Sequence, residues 1–144
     1  MPVSQSYTVQ TDASGVPFIA LKQCRVRLLE PGIVESCVNE GAAIDVEDIW
    51  EIRRANEFFC PGRKYAILVA PDNFNSITEE ARALTASESF SHHTCGKALM
   101  VHNTATRLVA EFYLRINKPI MPTRVFTDRN KAIRWLKEQL SNLP

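Results

Sequence analysis

The sequence predicts an α/β fold: a mixed sheet of four to six strands under about four helices, opening with an antiparallel hairpin and continuing as parallel β-α-β units. Three observations predict it. Apolar and charged residues alternate before Pro31-Gly32. Short continuous apolar runs recur at Tyr65 to Ala70 and Ala98 to Val101. Around those runs, apolar residues return at spacings of three and four.

The elements follow in order. Ser6 to Gln10 and Val16 to Leu21 are candidate edge strands, parted by the turn-prone Asp12-Ala13-Ser14-Gly15. Cys24, Val26 and Leu28 alternate with Arg25 and Arg27, the period of a half-buried strand. Glu30-Pro31-Gly32 turns the chain, and Ile33 to Asn39 returns antiparallel, because so short a loop cannot make a parallel crossover. Asp45, or the residue before it, caps a helix to about Phe59 that carries Ile49, Ile52, Ala55 and Phe59 on one face. Cys60-Pro61-Gly62 ends it. The run Tyr65 to Ala70 reads as a strand covered on both faces. Ser76-Ile77-Thr78-Glu79 has the form of a capping box, opening a helix with Ile77, Ala81 and Leu84 inward. Ala98 to Val101 is a second covered strand. A helix from about Thr104 to Ile116 gathers Leu108, Val109, Phe112 and Ile116 on one side. Arg124 to Phe126 forms a last strand. Asp128 or Thr127 caps a terminal helix facing the core with Ala132, Ile133, Leu136 and Leu140. Right-handed crossovers set the last three strands parallel, extending the hairpin into one sheet.

Composition narrows the functional classes. The 144 residues carry a formal net charge of +1, which gives no nucleic-acid footprint. The charge is unevenly spread, −4 up to Thr104 and +5 beyond it. An anionic partner for the carboxy-terminal half is one account; solvated helix faces are the commoner one. No apolar stretch is long enough for a transmembrane segment, and Met1 to Gln10 lacks the basic-then-apolar pattern of a secretory signal. The cysteines at 24, 37, 60 and 95 have no CxxC spacing. Reduced, mostly buried thiols and a cytoplasmic location are expected.

Three segments carry a family resemblance: VRLLEPGIVESCVNEGAAIDVED (Val26 to Asp48), YAILVAPDNFNSITEEARAL (Tyr65 to Leu84) and NKPIMPTRVFTDRNKAIRWL (Asn117 to Leu136). Together they resemble the STAS-like bacterial domains of the SpoIIAA type. More narrowly they resemble a subgroup of small bacterial proteins of unassigned function with a Lys-Pro…Pro-Thr-Arg-x-Phe-Thr-Asp signature. The likeness spans residues 24 to 141. It divides the chain into an amino-terminal extension, residues 1–23, with one or two edge strands, and a STAS-like domain, residues 24–144. The resemblance implies a non-enzymatic regulatory or protein-interaction module with a protein partner or kinase. Likeness to lipid-transfer domains of the CRAL-TRIO type implies, as the alternative, a small-ligand or lipid-binding protein using the pocket between helices and sheet. In phospho-switch members a Ser or Thr opening the helix after a central strand is phosphorylated, a position Ser76 and Thr78 occupy here. The Asp-Ser-Ser-Gly motif of those members is absent, and the plain account of Ser76 is an N-cap.

The residues assemble no catalytic set. His92-His93-Thr94-Cys95 is the one cluster of metal-capable side chains, with His102 seven residues beyond. Adjacent loop residues seldom converge tetrahedrally, so a polar loop is the expected account and no metal or other cofactor is assigned. A Cys-His nucleophile pair there lacks an orienting acid. Neither phosphate-loop glycine pattern occurs, nor does a Gly-x-Ser-x-Gly elbow. Glu79-Glu80 and Asp45, Glu47 and Asp48 sit in first helical turns, where the dipole accounts for them. What remains is positional: ligands of open α/β sheets gather beyond the carboxyl ends of parallel strands. Asp72, Asn73 and Asn103 belong to that edge, and Arg107, Lys118 and Arg124 are the cations offered to an anionic head group. Trp50 and Trp135 are read as packing at helix–sheet seams. Oligomeric state is open, an edge-paired homodimer being one form.

Overall fold

The computed structural model describes residues 7–71 and 76–143. The hairpin forms as the alternation predicts: β3 (Cys24–Glu30) and β4 (Ile33–Val38) pair antiparallel about a turn in which Gly32 has φ +87°. The amino-terminal segment joins the same sheet, since β1 (Gln10–Thr11) pairs with β2 (Pro17–Ala20) and β2 with β3. On the other side of β4, the strands β6 (Tyr65–Val69), β8 (Thr94–Met100) and β9 (Thr123–Phe126) follow in parallel. The main sheet therefore has seven strands in the order β1-β2-β3-β4-β6-β8-β9, more than the four to six expected. The number is higher because both amino-terminal candidates join the sheet: β2 lies within Val16 to Leu21, and β1 begins at Gln10.

Helix α1 (Val46–Phe59) is capped by Asp45, whose Oδ1 accepts from the Asp48 N–H at 3.0 Å while Asp48 accepts from the Asp45 N–H. With α2 (Glu79–Ala86) and α3 (Glu88–Ser91) it covers one face of the sheet. There Ile49, Ile52, Ala55, Ala81 and Phe90 pack on Ile19, Val26, Val34, Tyr65 and Ile67. Helix α5 (Arg129–Ser141) covers the other face, with Ala132 and Leu136 against Ile33, Ala66, Leu68, Ala98 and Phe126. Strand β6 thus buries both of its faces, the environment its continuous apolar run requires. Trp50 meets Phe90 and Trp135 meets Phe126 within these two cores.

Three local expectations are corrected. Ser76 does not cap α2: Ser76 and Ile77 form β7 (Ser76–Ile77), paired in parallel with β5 (Ala43–Ile44), so their backbones already belong to a two-stranded ladder. Thr78 is the cap, its Oγ1 accepting from the Ala81 N–H at 3.1 Å. The segment His92 to Cys95 is only half a loop, because β8 begins at Thr94 and reaches Met100 by way of an irregularity opposite Tyr65/Ala66. Thr94 and Cys95 are buried. The third concerns α4 (Thr104–Ile116). Its stripe of Leu108, Val109, Phe112 and Ile116 shares one side as the spacing predicts, but that side faces solvent. The helix rests on the short strand β9, with Ala110 and Leu114 partly covered beneath it.

Candidate functional site

The central hairpin carries an ionic network that sequence reasoning missed. Glu35 of β4 lies directly across from Arg27 of β3 and is 2% exposed. One carboxylate oxygen accepts from Arg27 Nη1, and the other from Arg129 Nη1 at 2.5 Å. Arg27 turns Nε and Nη2 to Asp12 Oδ2 at 3.0 and 2.9 Å. The Oδ1 of Asp12 accepts from the N–H groups of Ser14 and Val16. The chain Asp12–Arg27–Glu35–Arg129 thus ties the β1–β2 turn, the central hairpin and the first residue of α5. Burial opposes ionisation of Glu35, but the Arg129 and Arg27 guanidinium groups outweigh it and hold the carboxyl below its ordinary range. With each carboxylate oxygen already accepting a guanidinium donor, Glu35 acts as a clamp and is poorly placed for general-base work. Counting outward from the Pro31-Gly32 turn would put Leu28 opposite Glu35; a register shift between Leu28 and Glu30 brings Arg27 there instead, so the only signal in the sequence was a charge inside an apolar run.

The predicted ligand residues are spread over several elements. Asp72 and Asn73 lie outside the described residues. Asn103 is exposed and serves as the N-cap of α4, its Oδ1 accepting from the Thr106 N–H at 2.9 Å. Arg107, in the first turn of α4, pairs with Glu111 at 3.0 Å. Lys118 follows the far end of that helix, about 16 Å along its axis at 1.5 Å per residue. The Arg124 guanidinium on β9 stacks over Phe126 at 5.4 Å. Arg107 and Lys118 therefore lie toward opposite ends of α4. Ser76 is exposed on β7, whereas the Thr78 hydroxyl is engaged as a cap.

The thiols are unsuited to nucleophilic work. Burial pushes Cys24 up to about 12 and Cys37 up to about 11. Burial likewise raises Cys60 and Cys95. Among the described residues, no three His, Cys, Asp or Glu side chains are grouped to hold a metal ion. His92 and His93 pack edge to face against each other. Lys97 of β8 is half-buried and, among the described residues, reaches the Thr85 carbonyl at 3.5 Å, and desolvation lowers its amine to about 8.

Two surfaces remain. A cavity of about 310 Å³ opens at the amino-terminal edge of the parallel strands, between α3, the start of β8 and the Met121 loop, with Lys64, Glu88, His92 and Cys95 among its lining. The second is the outward side of α4, where Leu108, Val109, Phe112 and Ile116 are between 56% and 63% exposed. Tyr113 is 42% exposed on the same helix, and Arg82 of α2 stacks over its ring at 4.5 Å. Scattered surface apolar residues are ordinary, whereas these four share one side of a single helix. Among the described residues, no helix is long and apolar enough to cross a membrane.

The overall architecture is similar to that of an uncharacterized protein from the DUF3478 family with a SpoIIAA-like fold, from Shewanella loihica PV-4. The two share 10% identity and a TM-score of 0.50, over 94% of this chain and 99% of that one. At that identity the likeness speaks for the fold alone, and the fold of this chain is SpoIIAA-like. No curated protein matches the chain. A family model, described as a domain of unknown function (DUF7793), matches residues 28–140, from the central hairpin through α5. On that match, the chain belongs to the DUF7793 family.

Proposed function

We propose that this protein is a non-enzymatic, STAS-like interaction module of the cytoplasm that docks a protein partner on the outward face of α4. The observation that carries the reading is the solvent-facing stripe of Leu108, Val109, Phe112 and Ile116. A helix bearing its apolar side outward, aromatic at its centre and charged at its flank, has the make-up of an interface core with a polar rim. The chemistry elsewhere supports it: the thiols are raised by burial, and Glu35 is locked by two arginines. Native mass spectrometry of the chain purified from its own host tests the reading. A complex of defined stoichiometry that falls apart on Phe112→Asp is expected. Recovery of uncomplexed chain alone would overturn it.

The cavity beside Lys64 and His92 favours a second reading, a binder of a small ligand. Its volume is at the lower end of ligand sites. A ligand carried through purification and released on Lys64→Ala would support that reading over the first.

A further inference from the structure

We infer that the occupant of the α4 face is a second copy of this chain, the two helices packing antiparallel about a two-fold axis near Phe112. The inference rests on the reading of α4 as a docking surface and names the partner.

Charge complementarity points to this occupant. At 100° per residue, Leu108, Val109, Phe112 and Ile116 form a stripe about a hundred degrees wide. Glu111 and Arg115 lie one turn apart along the same flank, beside Leu108 and Phe112, with Tyr113 on the other flank. Inverting a second helix about Phe112 brings Leu108 to the partner copy's Ile116 and Phe112 to its own mate. The same operation brings the two Glu111–Arg115 flanks onto one side of the interface, each charge two residues of register, about 3 Å along the axis, from its opposite on the copy. An isologous interface requires this self-complementarity. A parallel arrangement would instead set like against like. Within its own chain Glu111 already meets Arg107 at 3.0 Å, whereas Arg115 makes no ion pair among the described residues. A copy supplies the missing carboxylate.

The area agrees. Leu108, Val109, Phe112, Tyr113 and Ile116 are each between 42% and 63% exposed. Together they offer roughly 500 Å² per chain, so two chains bury about 1,000 Å², the size at which biological interfaces begin. That area suits a reversible dimer. An anionic lipid surface is the poorer match, because Glu111 would then face the headgroups from the middle of the flank.

Sedimentation velocity on the purified full chain tests the inference, with circular dichroism confirming that each variant is folded. Wild type is expected to form a dimer with a dissociation constant in the micromolar range. Phe112→Asp is expected to raise that constant at least about 100-fold. Glu111→Arg and Arg115→Glu should each weaken the dimer about 3- to 10-fold. The double variant should return to within about threefold of wild type, since it rebuilds both pairs in reverse. A chain that stays monomeric at about 100 µM would refute self-association, as would a monomer that floats with anionic vesicles. A dimer indifferent to Phe112→Asp would refute α4 as its seat, and a double variant weaker than either single one would refute the antiparallel pairing. If the host complex contains a different protein and the purified chain is monomeric, this inference fails while the docking reading stands. If neither complex appears, both fail.

Discussion

Replacing Glu35 by Gln keeps the shape of the side chain and removes its charge, which isolates what the ionic network contributes. Taking one partner from a buried ion pair ordinarily costs about 3–5 kcal/mol, because the other charge is left uncompensated. Here the figure is smaller. Arg129 is 44% exposed and can turn to water, and Arg27 keeps Asp12 at 2.9 Å. About 2 kcal/mol is the expected loss at neutral pH, roughly 6 °C in melting temperature for a domain of this size. The pH dependence has a definite sign. The folded carboxyl titrates below its unfolded value, so its contribution is fully present above about pH 4.3 and is lost as pH falls through the folded value. Urea unfolding followed by circular dichroism, for wild type and Glu35→Gln between pH 7 and pH 3, checks both statements. The gap should be widest at neutral pH and narrow below about pH 4. A variant as stable as wild type at pH 7, or a gap that does not change with pH, would show that the clamp is ornamental.

Three further outcomes are expected. Thr78→Ala should destabilise by about 1 kcal/mol through loss of the α2 cap, while Ser76→Ala stays within about 0.5 kcal/mol; the reverse order in thermal melts would restore Ser76 as the cap. Lys97→Met should stabilise the fold by about 1–3 kcal/mol at pH 7, because the amine is charged there despite its desolvation. Folded Lys97 loses its proton near pH 8 while the unfolded chain holds it to about pH 10.4, so the gain should shrink across that window in paired denaturation curves; a constant gain would exclude the titration as its source. Gly32→Ala should cost about 1–2 kcal/mol, since φ is +87° and an added Cβ meets Leu140 Cδ1 at 3.3 Å; an unchanged denaturation midpoint would show that the turn relaxes freely.

Much of the architecture was legible because it depends on local rules. Alternation about Pro31-Gly32 identified the hairpin, and the both-sides-buried run at Tyr65 identified a central strand. Each of the caps Asp45 and Asp128 was one of two adjacent residues expected, and each side chain bonds a backbone N–H three residues on, a contact that neighbours alone decide. Thr78 went the other way for an equally physical reason. Ser76-Ile77-Thr78-Glu79 satisfies the capping pattern on paper, but Ser76 and Ile77 are held by β5, a segment more than thirty residues earlier. Thr94 and Cys95 looked like loop for a similar reason: their place in β8 comes from pairing with β6.

By itself, the sequence determined the order of most elements, their periods and several of their ends, since propensity, capping and turn chemistry act over a few residues. Tertiary structure decided which way the periodic faces point. A 3.6-residue stripe says that Leu108, Val109, Phe112 and Ile116 lie together, but not whether a core or the solvent receives them. Tertiary structure likewise decided that Glu35 meets Arg129, ninety-four residues away, where two guanidinium groups make a buried charge tolerable.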